Sequence, residues 1–400
     1  MAEPLDLTGI AGLSADKEEL CTIEASCVTG FEAMAAEEVE AVLGAGARQH
    51  RGRVVFDLPL DRAPEVLGLR CVNTVWVMLG HTPDIQYPEG EQQQLETLMQ
   101  FAESRLDWRK GLEVWRRVTG FQGELATEET SPEASSPKAS KLSPPTFRCT
   151  CYRSGTNHKF KSTEAQSAVG GRVQEKFGWP VSCKGYDLEF VINCDVKQVY
   201  CCINLTNVSL FNRTVTSFGP CTLKPTICAG LVRLARLEAG EVVLDPMCGG
   251  GTISLEGSCM GPQFHLGGEL HQLAVQRCRE NQAGLSNTAT DFLQWDCLLP
   301  ALKDNSVDVV ITDLPFGKRS GSRADNRVLY PRTLLSLARV VRPTTGRAVL
   351  LTQDKNSMFK TFKQVNKYWK HTKQIVTNIG GLTALVFLIS RTGVELSEKL

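Results

Sequence analysis
The residues best suited to chemistry in this 400-residue chain lie in two short runs. One reads Thr312-Asp313-Leu314-Pro315-Phe316-Gly317-Lys318-Arg319 and follows the apolar stretch VDVVIT at 307–312. A near-continuous apolar stretch of that kind reads as a strand covered on both faces. A carboxylate, a proline-fixed turn and an aromatic ring therefore fall together where a buried strand ends. Pro315 biases Leu314 toward extended geometry, which turns the Leu314 carbonyl into a site at that end. Asp313 and that carbonyl can both accept hydrogen bonds from one NH₂ group, and Phe316 can stack on the ring that carries it. The amine lone pair is then aimed at an electrophile, and Asp313 offsets the positive charge that develops on nitrogen. A D-x-P-F sequence alone is weak; its place at a strand end gives it weight.

The second run, VVLDPMCGGGTISLEG at 242–257, has the form of a strand, a glycine turn and a helix start. Asp245 and Pro246 end the strand, Cys248, Gly249 and Gly251 lie in the turn, and Thr252 opens the helix. Glycines let the backbone turn tightly and approach a ligand. Glu269 ends the next strand beside Leu270, placed for a carboxylate that accepts ribose hydroxyls, and Asp296 and Cys297 follow the strand after it, near an adenine amino group. The strict G-x-G-x-x-G of dinucleotide sites is absent, and an aspartate before the loop repels a pyrophosphate while attracting an ammonium. S-adenosylmethionine carries an ammonium and a sulfonium, so the electrostatics favour it over a nicotinamide cofactor. These residues leave four readings: a methyltransferase acting on the amino group of guanine, one acting on another base such as adenine, a catalytically silent RNA-binding protein, and a dehydrogenase. The last needs a phosphate-binding first loop that the sequence lacks.

Both runs need a frame. From residue 241 onward, strands expected at 242–244, 265–267, 307–312 and 348–352 alternate with helices at 252 onward, 271–283 and 329–340. This βαβ series implies an α/β, Rossmann-like, mainly parallel seven-stranded sheet. Strands at 374–377 and 384–389, separated by Gly380 and Gly381, leave no room for a crossover and form an antiparallel pair. The N-terminal half mixes strands (22–25, 53–56, 74–79, 114–118, 147–152, 188–193, 198–205) with helices (31–43, 61–67, 92–105, 162–177), an α+β, ferredoxin-like arrangement. Residues 124–146 are rich in Ser, Pro, Glu and Thr, lack apolar material for a core, and read as a disordered insertion.

Charge sums to zero over the chain but is unevenly spread. Residues 1–60 carry eleven acids and four bases, a net −7, whereas 316–375 carry fourteen bases and two acids, a net +12. The basic stretch can hold a phosphate backbone, with about half of its charges expected on solvated helix faces. Fifteen cysteines occur without any C-x-x-C pair. Cys149 and Cys151, with His158 nearby, lack the ligand number and spacing of a zinc site, so no metal is assigned and a reducing compartment is expected. No apolar stretch is long enough for a membrane span, and the first residues lack a secretory leader.

The two runs resemble the cofactor and catalytic motifs of the THUMP-domain tRNA guanine-N2 methyltransferases. Tyr330-Pro331 and the run Pro343-Thr344-Thr345-Gly346-Arg347 to Gln353-Asp354 are similar to the eukaryotic type that makes N2-methylguanosine at position 6 of tRNA acceptor stems. Val28-Thr29-Gly30-Phe31-Glu32 resembles the family's opening segment, and Ser162-Thr163-Glu164-Ala165 its THUMP domain. Gly250 replaces the usual Thr, and Glu269 stands where Asp is common. The resemblance implies a flexible tail (1–19), a ferredoxin-like region (20–90), a THUMP domain (91–213) and a class I methyltransferase domain (214–400). Asp313, Leu314, Pro315 and Phe316 become the expected catalytic residues. Arg153, Lys159, Lys161, Lys224, Lys318 and Arg319 become expected RNA contacts. The implied partners are tRNA and a small zinc-containing activator protein, and the implied compartment is the cytoplasm, with a nuclear pool allowed. Position 7 of the tRNA stays open as a further target.

Overall fold
The computed structural model describes Leu7 and residues 18–83, 85–125, 143–213, 215–286, 288–317 and 322–396. The chain forms two compact units, Met1–Cys27 with Ala36–Ser209, and Val28–Ala35 with Leu210–Leu400.

The N-terminal unit is built on strands β1 (Leu20–Cys27), β2 (Ala47–His50), β3 (Arg53–Pro59), β4 (Val72–Thr82), β5 (Phe147–Arg153), β6 (Leu188–Cys194) and β7 (Val199–Asn204). They form one mixed sheet in the order β2-β3-β1-β4-β7-β6-β5, with β5 and β6 running parallel and the other neighbours antiparallel. Helices α1 (Glu32–Leu43), α2 (Glu91–Ser104), α3 (Trp108–Thr119) and α4 (Ser162–Phe177) accompany it, the first turn of α1 belonging to the C-terminal unit. The stretch 114–118, expected as a strand, is the end of α3. The valines at 114 and 118 favour a strand locally, but Trp108, Leu112, Trp115 and Val118 recur at helical spacing and are all buried. Asp107 caps the start by accepting from the Lys110 amide at 2.9 Å, and Gly120, at φ 69°, ends the helix. The helix expected at 61–67 is a 3-10 helix, Leu60–Gly68. Of the expected insertion, residues 126–142 lie outside the described residues; its ends meet, with the Glu124 amide donating to the Ser143 carbonyl at 3.2 Å. Leu7, in the expected tail, is buried with Val55, Met78 and Tyr200.

The C-terminal unit contains α5 (Pro225–Leu234), β8 (Val242–Asp245), α6 (Thr252–Ser258), β9 (Phe264–Glu269), α7 (Gln272–Ala283), β10 (Thr290–Gln294), β11 (Val309–Asp313), α8 (Arg323–Val340), β12 (Arg347–Thr352), α9 (Lys355–Val365), β13 (Trp369–Ile379) and β14 (Leu382–Arg391). The seven-stranded sheet has the order β10-β9-β8-β11-β12-β14-β13. β8 to β12 pair in parallel, while β14 runs antiparallel to both its neighbours. This matches the expected series, including the final antiparallel pair. Alternate residues feed the two faces: Val309, Ile311 and Val349 pack with Phe31 and Ile227, whereas Leu244, Val310 and Leu350 pack with Leu334 and Trp369. Both faces are therefore apolar, and polar chemistry is confined to the strand ends. The carboxyl ends of β8, β9 and β11 share one edge, which presents Asp245, Glu269 and Asp313 together.

Candidate active site
The first loop is held from both sides. Asp245 is buried, and its Oδ1 accepts from the Thr312 hydroxyl at 2.7 Å and the Met247 amide at 3.2 Å. Glu269 Oε2 accepts from the Gly249 amide at 3.0 Å, and Oε1 from the His271 amide at 2.9 Å. Each of those oxygens keeps a further lone pair for a ligand hydroxyl. Gly249 has φ 54°, and a Cβ there would meet nothing within 4 Å, so the loop is open on the side where a ligand would sit. Gly251 has φ 80°, and a Cβ would come within 2.7 Å of the Phe292 ring, which fixes glycine on packing grounds too. Pro246, Cys248 and Thr252 are buried beneath the loop, with the Cys248 sulfur 3.8 Å from that of Cys278. Exposed Leu270 and Leu299 flank the ends of β9 and β10 and offer apolar surface for an adenine ring. Asp296 turns the chain between them by accepting from the Leu298 amide at 2.9 Å, and Cys297 packs inward, its carbonyl accepting from Ser336 at 3.2 Å. An acidic strand end, an open glycine cradle and exposed apolar flanks fit an S-adenosylmethionine site.

The second run lies on the neighbouring strand. Asp313 ends β11, beside β8, and its Oδ1 is out of contact with solvent yet has no hydrogen-bond partner among the described residues. Burial, and then the nearby Asp245 charge, push the Asp313 carboxyl well above the usual carboxylate range. Burial likewise pushes Asp245 up to about 7, against the hydrogen bonds from Thr312 and Met247. Both shifts arise because two acids are withdrawn from water with no cation beside them among the described residues.

The turn that follows is fixed by residues outside the two runs. The Pro315 carbonyl accepts from the Tyr330 hydroxyl at 2.5 Å and from Asn326 Nδ2 at 2.9 Å. Tyr330 also meets Thr352 Oγ1 at 2.8 Å, and Asn326 donates to Asp354 Oδ2 at 3.2 Å. Burial pushes the Asp354 carboxyl up, but the hydrogen bonds from Ser357 and Asn326 outweigh it and hold the group below the usual range. The Leu314 amide donates to the Leu351 carbonyl at 2.9 Å, locking the turn to β12. Phe316 is half-buried against the apolar cluster that includes Phe31 and Ile227. Gly317 has φ 70°, and a Cβ would come within 2.7 Å of the Arg323 amide nitrogen. The structure thus brings Asp245, Glu269 and Asp313 to one edge and supplies the carbonyl anchors that spacing alone did not reveal. Tyr330 and Asp354 lie in segments that carried the resemblance; Asn326 had no such signal.

Asn281 also escaped the sequence reading. It is buried, and its Oδ1 accepts from the Thr216 and Ser217 amides at 3.0 and 2.7 Å. Its Nδ2 donates to the carbonyls of Ser217 and Gly250 at 3.1 and 3.0 Å. It therefore clips the segment before α5 to the glycine loop. Its signal was an amide on the otherwise apolar helical stripe Ala274, Cys278, Asn281.

Of the expected RNA contacts, Arg153, Lys159 and Lys161 are exposed around the start of α4; Arg153 donates to the Phe160 carbonyl, and Lys161 pairs with Glu164 at 3.5 Å. Lys224 precedes α5 with its ammonium 3.9 Å from the centre of the Phe211 ring. Lys318 and Arg319 lie outside the described residues.

Residues 213–384 match the model of an RMKL-like methyltransferase domain, and 126–204 match that of the THUMP domain. The tRNA (guanine(6)-N(2))-methyltransferase THUMP3 of Mus musculus is 33% identical over an alignment covering 98% of this chain and 92% of that one. Its counterpart in Bos taurus is 32% identical, covering 96% and 91%. This chain belongs to the THUMP3-type tRNA (guanine(6)-N2)-methyltransferase family. The crystal structure of TrmN from Thermus thermophilus has the same fold, with a TM-score of 0.73, 22% identity, and coverage of 93% of this chain and 99% of that chain. In family terms, the N-terminal sheet is the THUMP and ferredoxin-like part, and the C-terminal sheet is the methyltransferase part.

Proposed function
We propose that this chain, an S-adenosylmethionine-dependent tRNA guanine(6)-N2-methyltransferase, uses Asp313 to receive the guanine amine. The observation that carries this assignment is the Asp313 Oδ1: a buried acceptor with no partner among the described residues, at the end of β11 and beside Asp245. S-adenosylmethionine supplies an electrophilic methyl group. Asp245, Pro246, Cys248, Gly249, Gly251, Thr252, Glu269, Leu270, Asp296 and Cys297 form its cradle, with Asp245 facing the cationic amino-acid end and Glu269 the ribose. Asp313 accepts one N–H of the guanine amine and the Leu314 carbonyl the other, which directs the nitrogen lone pair outward. Pro315, anchored by Tyr330 and Asn326, fixes that carbonyl's direction, and Phe316 borders the base. As positive charge grows on nitrogen, the Asp313 carboxylate stabilises it and then takes the proton that nitrogen loses.

Arg153, Lys159 and Lys161 are assigned to the RNA backbone as exposed bases grouped at the start of a helix, where phosphate is favoured. Lys224, Lys318 and Arg319 are assigned to it on the methyltransferase side. A zinc-containing activator protein as partner and position 7 as a second target follow from the family resemblance. Work in the cytoplasm is supported by the density of free thiols.

The test uses the full chain, with and without the activator, and tRNA transcripts carrying guanosine or inosine at position 6. Nucleoside mass spectrometry should find N2-methylguanosine in the first and no methyl in the second, because inosine lacks the amine. Methylation of the inosine transcript at that position, or methyladenosine as the product, would overturn the assignment.

A further inference from the structure
Within the basic stretch at 316–375, three arginines and five lysines differ in how the structure treats their charge. The arginines Arg339, Arg342 and Arg347 are tied to Asp304 at 2.6 Å, Asp308 at 3.1 Å and Glu241 at 2.7 Å. Those charges are paired with carboxylates of the same unit. The lysines of α9 and β13 are not. Lys355, Lys360, Lys363, Lys370 and Lys373 are exposed, and among the described residues none makes an ion pair with a carboxylate. On α9 the first three lie opposite the buried Met358, Thr361 and Val365, so they share the outward arc of the helix. Phe359 is partly exposed among them, and Phe362 stacks on His371 of β13 at 5.1 Å between ring centres. Lys370 and Lys373 flank an irregularity in the edge strand β13. Edge protection explains lysines on β13, since charge and a bulge both discourage strand pairing. It does not explain the three on α9, a helix with no edge to protect.

The placement of α9 gives these charges a direction. Asp354, which caps the helix, is the residue bound to Asn326 behind the catalytic turn. Lys355 therefore stands at the catalytic edge of the sheet, and Lys360 and Lys363 lead away from it along about 12 Å of helix. We propose that the outer face of α9, continued by Lys370 and Lys373 on the β13 edge, is a second RNA-binding surface that tracks the phosphate backbone of the substrate away from the target base. Unpaired lysines on an exposed ridge suit a polyanion with repeated charge, because each can meet a phosphate without breaking an internal bond. The inference rests on the reading of tRNA as substrate.

The full chain is compared with Lys355→Gln/Lys360→Gln/Lys363→Gln, with Lys370→Gln/Lys373→Gln, and with Lys303→Gln, an exposed lysine elsewhere in the same unit. Binding of an unmodified tRNA transcript is measured by fluorescence anisotropy across a salt series. The slope of log affinity against log salt should flatten by about 2 to 3 for the triple variant and by about 1 to 2 for the double, each phosphate contact contributing about 0.9. The KM for tRNA should rise roughly tenfold near physiological ionic strength in the triple variant. The kcat at saturating tRNA and the affinity for S-adenosylmethionine should stay within about twofold, and Lys303→Gln should match the wild type. An unchanged slope and KM in the triple variant would overturn the proposal. So would unchanged tRNA binding together with lost binding of an acidic protein partner. Failure of the wild type to methylate any tRNA would instead defeat the underlying assignment, while the salt series would still decide whether this surface meets RNA.

Discussion
The buried carboxylates of the N-terminal unit and those at the catalytic edge of the C-terminal sheet are treated in opposite ways. In the N-terminal unit, Glu24 lies under the Arg53 guanidinium and the Tyr200 hydroxyl. Glu189 accepts from Arg148 at 2.6 Å, Thr150 at 2.7 Å and Asn204 at 2.8 Å, and Glu38 accepts from the Arg70 and Cys71 amides. In the C-terminal unit Glu256 is likewise paired with Arg213 at 2.7 Å, but Asp245 and Asp313 end adjacent strands where, among the described residues, no cation lies against them and Asp313 Oδ1 has no hydrogen-bond partner. A buried acid with its hydrogen bonds complete belongs to the fold. One left incomplete costs stability and marks where a ligand completes the set.

The largest expected effect tests that contrast at the catalytic end. Asp313→Ala should lower kcat about 10²–10³-fold, the scale for losing one electrostatic contact to a developing charge. Calorimetry should find S-adenosylmethionine affinity within a few-fold of wild type, and thermal denaturation should show no loss of stability. A variant that unfolds while keeping its turnover would place Asp313 with the structural acids. The converse change is Arg53→Ala, which strands Glu24 without its cation. It should cost about 3 kcal/mol in denaturant unfolding and leave cofactor affinity of the folded protein unchanged. Silence in unfolding would erase the distinction between the units.

The pH dependence carries opposite signs for stability and activity. Asp245 titrates near 4 when unfolded and near 7 in the fold, so the native state binds more protons within that window. Its contribution to stability is therefore greatest at the acid side and is lost as pH rises toward 7. Burial also holds His265 down to about 4, which contributes the opposite slope, so the test is a difference: the denaturant midpoint of the ligand-free wild type minus that of Asp245→Asn should fall over that range. Activity needs the carboxylates ionised, so kcat/KM should climb with pH, and Asp313, also raised, adds to that limb. A difference between the two curves that rises through the same window would contradict the account. The smallest effect concerns Asn281. Asn281→Asp keeps the acceptor for the Thr216 and Ser217 amides but loses the donor to Gly250, so KM for S-adenosylmethionine should rise about tenfold with kcat nearly unchanged. Equal loss in both parameters would mean that the clip acts on the reaction itself.

The catalytic sheet was largely legible before folding. Its strands are apolar runs ended by an acid and a turn former, and that local signal placed Asp245, Glu269 and Asp313 at one edge. The supports of the site were not legible, because they are long-range hydrogen bonds. Tyr330 reaches Pro315 across fifteen residues, and Asn281 reaches Gly250 across thirty-one. The amide of Asn281 on an apolar helical stripe marks that residue, but nothing in the sequence names either partner. In the N-terminal unit the misread segment was 114–118, a five-residue window bounded by two β-branched valines. The apolar spacing over the whole of 108–118 is helical, and the longer window decides.

The central claim is most directly tested by a crystal structure of the enzyme with S-adenosylhomocysteine and an acceptor-stem RNA. The account predicts the N2 of guanosine 6 within about 3.2 Å of Asp313 Oδ1, and the homocysteine amino group on the Asp245 side of the glycine loop. An Asp313 Oδ1 still without a partner, and a guanine amine beyond hydrogen-bond reach of it, would contradict the account.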